Sequence, residues 1–437
     1  MRIWPSKRTV KRWGIGLGIV FGLLLVANAF MAWRVESRYK AKIVAIHAAG
    51  DPASIAELKP EPIPADENAA AHLDALQPRL DEFGKEYGAF FKTELGQAYE
   101  DLEEGAPPTE EQVAAMRAIL DKYVDLEQKI AAAAACPSYA STADFSVGFQ
   151  KFLDKHLLRL RRIRTVARMG NWRSQVLIAD GRPEDAARRG LETLRLARLH
   201  EAEPALVAYL VSVAVRGISI RDIHSALAAG PVSAELHDQI DGELARQDDP
   251  AKFAGVLRTE RAVSVSAIHE QGWDMIPAPW SWFVGWPVKR LFIGPLDYYE
   301  VLFPVVDRPL PEIHKAFENG GELSSPTGFG TLADLLGPAL EAGIQAAQRD
   351  TAMIRSLRVF NALQVFAEKN GREVRDLTEL GLPAEEMVDP FSGEPLKAKL
   401  SGQGWKVYSV GENGTDDGGD FRELKDVGLG PVATSTE

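Results

Sequence analysis

The chain has a single cysteine, Cys136, in 437 residues. No intrachain disulfide can form, so stability has to come from packing, ion pairs or bound ions. Cys136 lies between a run of alanines and Pro137 and reads as a small buried apolar residue, not as a nucleophile. The eight histidines are scattered at 47, 72, 156, 200, 224, 237, 269 and 314. None falls into a His-Glu-x-x-His or His-x-His spacing, which leaves zinc chemistry without a motif. There is no Gly-x-Ser-x-Gly elbow and no Walker phosphate loop. "GFGTL" at 328–332 lacks a preceding strand and a third glycine and reads as a turn. No strict 34-residue period is present, which excludes a tetratricopeptide array.

A general basic excess is also missing. Net charge is −12. Arg2, Lys7, Arg8, Lys11 and Arg12 precede residue 13, and Arg34, Arg38, Lys40 and Lys42 stand against Glu36 after residue 33, which leaves −20 for the rest of the chain. So acidic a body argues against a nucleic-acid partner and suits a soluble, self-repelling domain. Between those basic clusters lies "WGIGLGIVFGLLLVANAFMAW", 21 uncharged residues closed at each end by Trp13 and Trp33. As a helix it would span roughly 31 Å, enough to cross a hydrocarbon core, with indoles at both headgroup boundaries. The slight basic bias ahead of it places the N-terminus in the cytoplasm. The alternative is an export signal cut at Ala27-Asn28-Ala29. Because the apolar run continues through Phe30, Met31 and Trp33, a retained single-pass anchor in the cytoplasmic (inner) membrane is expected. In both readings the bulk of the chain is extracytoplasmic.

The expected organisation is a basic cytoplasmic segment at 1–12, a transmembrane helix at 13–33 and a linker at 34–67. A helical domain at 68–334, a C-terminal domain at 335–430 and a tail at 431–437 follow. The linker reads from "GDPASIAELKPEPIPADE", with four prolines. A helix is expected from Asn68 to Glu103, and after Pro107-Pro108 the pair Thr109 and Gln112 makes a capping-box pattern. Helices are expected over Phe149–Ala179 and Glu184–His200, then from Pro204, and over Ser233–Arg246. "ALVAYLVSVAV" at 205–215 carries no charge, so that helix should be buried on all sides. Paired helices with short Gly/Pro turns suggest a solenoid-like or bundle body. The arginines of "RLRRIRTVARMGNWR" at 159–173 read as a solvated, salt-bridged face, and Glu260 between Arg258 and Arg261 reads as an ion-pair partner.

Four of the nine tryptophans fall between 273 and 286, among prolines. Either this segment touches a bilayer surface, with Lys289 and Arg290 beside it, or its aromatics fill the gap between two helical layers, which is the default. From Leu335 a helix striped by Met353, Leu357, Phe360, Leu363 and Phe366 is expected to run to Glu368. Two short strands follow, in "EPLKAKL" and "WKVYSVG", turned at Ser401–Gly404.

Helix, then Asp389-Pro390-Phe391-Ser392-Gly393-Glu394-Pro395, then Tyr408-Ser409-Val410-Gly411, then a Gly/Asp/Asn loop, resembles the globular domain of type II secretion major pseudopilins over about 80 residues. The resemblance implies a short antiparallel sheet on the helix and a calcium-binding final loop. The chain departs from that family in having no glutamate within 13–33 and in placing the module some 300 residues from the anchor, so assembly into a pilus is not expected. Upstream, "PADENAA" and "EAEPALVAYLVSVAVRG" are similar to uncharacterised membrane-anchored proteins of planctomycete-type bacteria, which carry no activity to transfer.

Calcium needs six to eight oxygen ligands. Residues 409–420 offer Asn413, Asp416, Asp417 and Asp420 with four glycines, although Asn413 stands where the pseudopilin family more often has aspartate. An EF-hand fails, because its twelfth position would be Leu424. These four residues are the candidate Ca2+ ligands, with an acidic solvated turn as the alternative. The role of the ion would be structural.

The expected fold class is therefore mainly α: a transmembrane helix, a helical body and a small α+β pseudopilin-like C-terminal domain. The expected function is a non-enzymatic, membrane-anchored scaffold or binding protein of the bacterial envelope, joined to the membrane through residues 13–33 and to a protein partner. An accessory role in a secretion-like apparatus, or a hydrolase of envelope polymers, is the alternative. Two inward-facing carboxylates in a cleft would mark the hydrolase; an arginine-lined groove would favour binding.

Overall fold

A computed structural model describes residues 7–102, 106–249, 251–274, 281–319, 332–402 and 404–431. Nothing interrupts the apolar run, and helix α1 (Lys7–Ala48) continues through it for 42 residues. It is the one helix among the described residues long and apolar enough to cross a membrane. Gly50 ends it: at φ +76° it lets its own N–H reach His47 O at 3.0 Å and the N–H of Asp51 reach Ile46 O at 3.1 Å. Asp51 then pairs with Arg261 at 2.8 Å and Arg258 at 3.4 Å.

The stretch expected as a linker, 34–67, is therefore largely built into the fold. Residues 34–48 continue α1. Beyond them Ile55 is buried with Phe145 and Phe152, and its N–H donates to Ser266 Oγ at 2.8 Å.

The expected helix 68–103 is three helices, α2 (Ala69–Ala75), α3 (Gln77–Phe90) and α4 (Glu94–Glu100). Pro78 at the start of α3 has no N–H to continue α2, and Thr93 caps α4 by accepting the Gly96 N–H at 3.1 Å. Next come α5 (Glu110–Leu120), opened by the expected Thr109–Gln112 capping box, and α6 (Val124–Ala134). Together α2–α6 bury Trp172, which is 0% exposed and packs against Phe83, Tyr87, Phe90 and Phe91.

Trp172 belongs to α7 (Phe149–Ala179), which packs mutually with α8 (Pro183–His200) and α9 (Leu206–Ala229). Of these, α9 is central to all three large cores. It contributes Val215 to the Trp172 core, Ile220 and Ile223 to the core beneath the sheet, and Leu206 and Tyr209 to a third. Buried or half-buried along most of its first ten residues, with Ala214 exposed, α9 needs no polar face there, which accounts for the absence of charge from Leu206 to Val215.

α9 begins two residues later than Pro204. Ala205 stands at φ +83°, and Thr259 Oγ1 accepts its N–H at 3.0 Å while Glu260 Oε2 accepts that of Leu206 at 2.8 Å. Glu260 thus caps α9 instead of pairing with its neighbours Arg258 and Arg261, whose partner is Asp51.

α10 (Ala234–Gln247), α11 (Ala251–Asp274), α12 (Ser281–Leu302), α13 (Leu310–Asn319) and α14 (Leu332–Asn370) complete the bundle. α14 returns to pack on α9 and α10, which makes the body a closed bundle and not an open solenoid. On α14 lies an antiparallel sheet in the order β1 (Lys397–Ser401), β2 (Gly404–Ser409), β3 (Val427–Leu429), with Ala398 opposite Val407 and Val407 opposite Leu429. β3 was not anticipated. Gly428 is required there, because a Cβ would lie 2.2 Å from Val407 O. Leu357, Phe360, Val407 and Leu429 share one core with Ile220 and Ile240, so no gap in packing separates the C-terminal segment from the body.

Of the arginines of 159–173, Arg161, Arg164 and Arg168 are exposed as expected, whereas Arg159, Arg162 and Arg173 are half-buried in ion pairs. Arg162 pairs with Asp74, and Arg173 Nε donates to Glu127 Oε1 at 2.8 Å, with side-chain exposures of only 17% and 14%.

Asp222 on α9 is buried against α7. Its Oδ1 accepts from Asn171 Nδ2 at 2.7 Å, and its Oδ2 has no hydrogen-bond partner among the described residues. Burial pushes this carboxyl up to about 7, against the pull of Asn171 and Arg221. A carboxyl with a folded value above its unfolded one costs stability as pH rises from about 4 to 7, and on the order of 4 kcal/mol is at stake above that window. Asp222→Asn should therefore gain on the parent across this pH range, read by urea unfolding at each pH. A stability difference flat with pH would refute the assignment.

Candidate functional site: an arginine-centred cleft beneath the C-terminal segment

Arg216, on the buried face of α9, is neutralised by groups from three other helices or their ends. It is 1% exposed. Nε donates to Gln247 Oε1 at 2.5 Å, one terminal nitrogen pairs with Asp350 and the other with Glu201. Each partner comes from a different element: Glu201 caps the end of α8, Gln247 ends α10, and Asp350 lies in the first half of α14. Gln247 is held in turn by Leu194 O at 3.2 Å and Glu243 Oε1 at 2.9 Å. Lys252, in the first turn of α11, pairs with Glu201 Oε2 at 3.0 Å and donates to Arg246 O at 3.2 Å. Arg355, one turn beyond Asp350, grips both oxygens of Asp248 at 2.8 and 3.1 Å and donates to Val388 O at 2.6 Å.

These groups floor a cleft of about 260 Å³, walled by Tyr209, Phe253, Val306 and Pro390. Burial pushes the Asp350 carboxyl up, against the pull of Arg216. Burial, helped by the nearby Arg216 charge, lowers the Lys252 ammonium to about 8. Two carboxylates do meet in a cleft, but both are held by one guanidinium. A glycosidase pair needs one carboxyl able to give a proton and another able to take one or attack. Glu201 and Asp350 are both spent on Arg216, so these two do not form such a pair as folded.

The residues singled out as calcium ligands do not converge. Asp416 pairs with Lys399 at 3.1 Å and accepts from Tyr408 Oη at 2.9 Å, which holds its carboxyl below the usual range. Asp420 is taken by Arg422 at 2.8 Å and Lys425 at 3.4 Å and is likewise depressed. Asn413 Nδ2 donates to Asp417 Oδ2 at 2.8 Å. The loop is organised instead by Asp426, which sequence reasoning passed over. Its carboxylate accepts the N–H groups of Asp417 at 3.4 Å, Gly419 at 2.7 Å and Asp420 at 3.3 Å. Cations and backbone amides occupy the directions from which a calcium ion would draw its oxygens, so as folded the four residues do not fit calcium. Among the described residues no group of three or more His, Cys, Asp or Glu is placed to hold a metal.

Two scattered histidines do meet. His156 and His200 flank buried Glu203, whose carboxylate accepts from Tyr139 Oη at 2.8 Å, Ser141 Oγ at 2.7 Å and Arg159 at 3.3 Å. Burial lowers His200 to about 4, and its Nδ1 lies 2.8 Å from Ser212 Oγ. Ser141 donates to the carboxylate and not to an imidazole, and the Ser212 hydroxyl beside His200 is buried and donates to Ala208 O at 3.1 Å. The sequence signal was the run His200-Glu201-Ala202-Glu203-Pro204, where both buried glutamates sit in one loop.

No family model, curated protein or solved structure matches the chain.

Two measurements test this geometry. Arg216→Met strands the buried Asp350 carboxylate and leaves Glu201 to Lys252, and should cost about 3–5 kcal/mol in urea unfolding, whereas adding Glu201→Gln and Asp350→Asn should recover most of that loss. Equal instability of the single and triple variants would refute the neutralisation argument. Millimolar calcium should leave the melting temperature of the full chain unchanged, and a rise abolished by Asp416→Ala/Asp417→Ala would refute the closed-loop assignment.

Proposed function

We propose that the chain is a single-pass scaffold or binding protein of a bacterial envelope, with its N-terminus in the cytoplasm, its helical body outside, and no catalytic activity. The observation that carries this reading is the continuity of α1 with the body. Beyond Trp33 the same helix is gripped by α12. Glu36 pairs with Lys289 at 2.5 Å, Arg38 with Asp297 at 2.8 Å, and Lys42 with Asp297 and Glu300 at 2.5 and 2.7 Å. A body built onto its anchor in this way is held at a fixed height and orientation, which suits a scaffold that presents a surface. Retention of α1 is supported by Asn28 inside the alternative cleavage motif, whose side chain accepts from Trp286 Nε1 at 2.8 Å. Cleavage after Ala29 would discard a residue the folded body uses. The acidic body supports an extracytoplasmic place and a protein partner over a nucleic acid.

A second reading, an accessory part of a secretion-like apparatus, is supported by α14 with the β1–β2–β3 meander packed on it. The cleft, with both carboxylates bound to Arg216, supports binding over hydrolysis.

The test is membrane fractionation with intact-mass analysis, together with an alkaline phosphatase fusion after residue 431. The expected result is a full-length chain that resists alkaline extraction and an active phosphatase. A chain released with a mass beginning near Phe30, or an inactive fusion, would overturn the reading.

A further inference from the structure

We infer that α12 is a second membrane-contacting element, its N-terminal part lying in the outer leaflet of the bilayer beside α1. This rests on the reading that α1 spans the membrane. The side chains that join the two helices run in one direction along both: Asn28 with Trp286, Glu36 with Lys289, Lys42 with Asp297 and Glu300. The helices are therefore parallel, and heights on one can be read from the other.

On α1 the apolar run ends at Trp33, and its 21 residues match a hydrocarbon core of about 30 Å with none to spare. Asn28 lies five residues inside that end, roughly 7 Å below it, and Trp286 meets it there. Ser281, where α12 begins, is a further five residues down, roughly another 7 Å.

The two helices also change polarity within about one helical turn of the same level. α1 turns charged at Arg34, and α12, whose first eight residues "SWFVGWPV" carry no charge, turns charged at Lys289. The first acid above the run on α1, Glu36, binds the first base above the run on α12. Two segments 250 residues apart in sequence thus share one apolar-to-polar boundary, as a common bilayer surface would require.

The shielding pattern agrees. Within the run α1 is exposed except for one strip, where Gly22, Leu25, Asn28 and Ala32 are half-buried at three- to four-residue spacing and lead to buried Val35. α12 is the helix packed against α1. Asn28 and the Trp286 indole satisfy each other within the apolar layer, where an unpaired polar group is costly. Arg34, Lys40 and Arg290 are exposed just above the boundary, at headgroup level. The default reading of the Trp-rich segment, that its aromatics fill a gap between helical layers, does not account for a shared boundary. Its residues 275–280 lie outside the described ones.

The test places nitroxide labels on the full chain in phospholipid vesicles, in a Cys136→Ala background. Gly285→Cys reports on α12, Gly18→Cys on the anchor, and Gly242→Cys on the body; a Cβ at each of the three meets no atom within 4 Å. The expected result is that labels at 18 and 285 collide preferentially with oxygen and the label at 242 with a water-soluble nickel complex. Lipid exposure at 18 with water exposure at 285 would overturn the inference and leave the anchor standing. Water exposure at 18 would overturn the anchor and the inference with it. Independently of labelling, Trp286→Phe should remove a share of the tryptophan emission that brominated phosphatidylcholine quenches, and unchanged quenching would overturn the inference.

Discussion

A guanidinium buried at the middle of an apolar helix is the constraint around which this molecule closes. Arg216 cannot be left unpaired in an interior that excludes water, because an isolated buried charge costs far more than a domain's net stability. Its three partners arrive from α8, α10 and α14, elements that no local rule would bring together. Hydrophobic burial alone would let α14 slide or rotate on α9, since apolar contacts are not directional. The fork of Arg216 admits one placement of Asp350, and with it one register of the helix that carries the sheet. A buried ion network of this kind contributes little net stability against well-packed apolar residues, and its effect is on which arrangement is populated.

A second set of charges works differently. The pairs between α1 and α12 range from exposed to part-buried, and each is worth on the order of 1 kcal/mol or less where salt and water reach it. They do not hold the helices together on their own. Val35 and Ile46, eleven residues apart and so on one side of α1, are the buried apolar residues of this helix. The ion pairs set the direction and the height. Glu36 and Lys289 would be mismatched by a one-turn shift of about 5 Å. Such a shift would also pull Trp286 away from Asn28 and leave both polar groups without this hydrogen bond's partner.

Much of the architecture was legible in the sequence. α7, α8 and α10 lie close to where periodicity and caps placed them, because amphipathic helices on a common core declare themselves by spacing. The Thr109–Gln112 box and the hairpin turn at Ser401–Gly404 are local chemistry and were read locally. What was missed depends on partners distant in sequence. The start of α9 is fixed by Thr259 and Glu260, and a cap supplied from another helix leaves no mark beside Pro204. The docked strap at Ile55 looked like a linker because its prolines describe the backbone, whereas its place is decided by Phe145 and Phe152. At the candidate site the reverse error occurred. An acidic, glycine-rich loop suggested an ion, but Lys399, Arg422 and Lys425 answer its carboxylates, and Asp426 gathers three of its amides.

The same reasoning bears on why the cleft is quiet. A site that performs acid/base chemistry keeps a carboxyl poised, which means burying it without a strong cation. Here burial and pairing come together. Glu201 touches Arg216 and Lys252, and Asp350 touches Arg216, so the groups whose titration would be most useful are tied into holding α14 in place. Releasing either for catalysis would release the register of the helix beneath the sheet. The two carboxylates are thereby tied to the packing of α14, while the walls of Tyr209, Phe253, Val306 and Pro390 stay open to the binding reading proposed above.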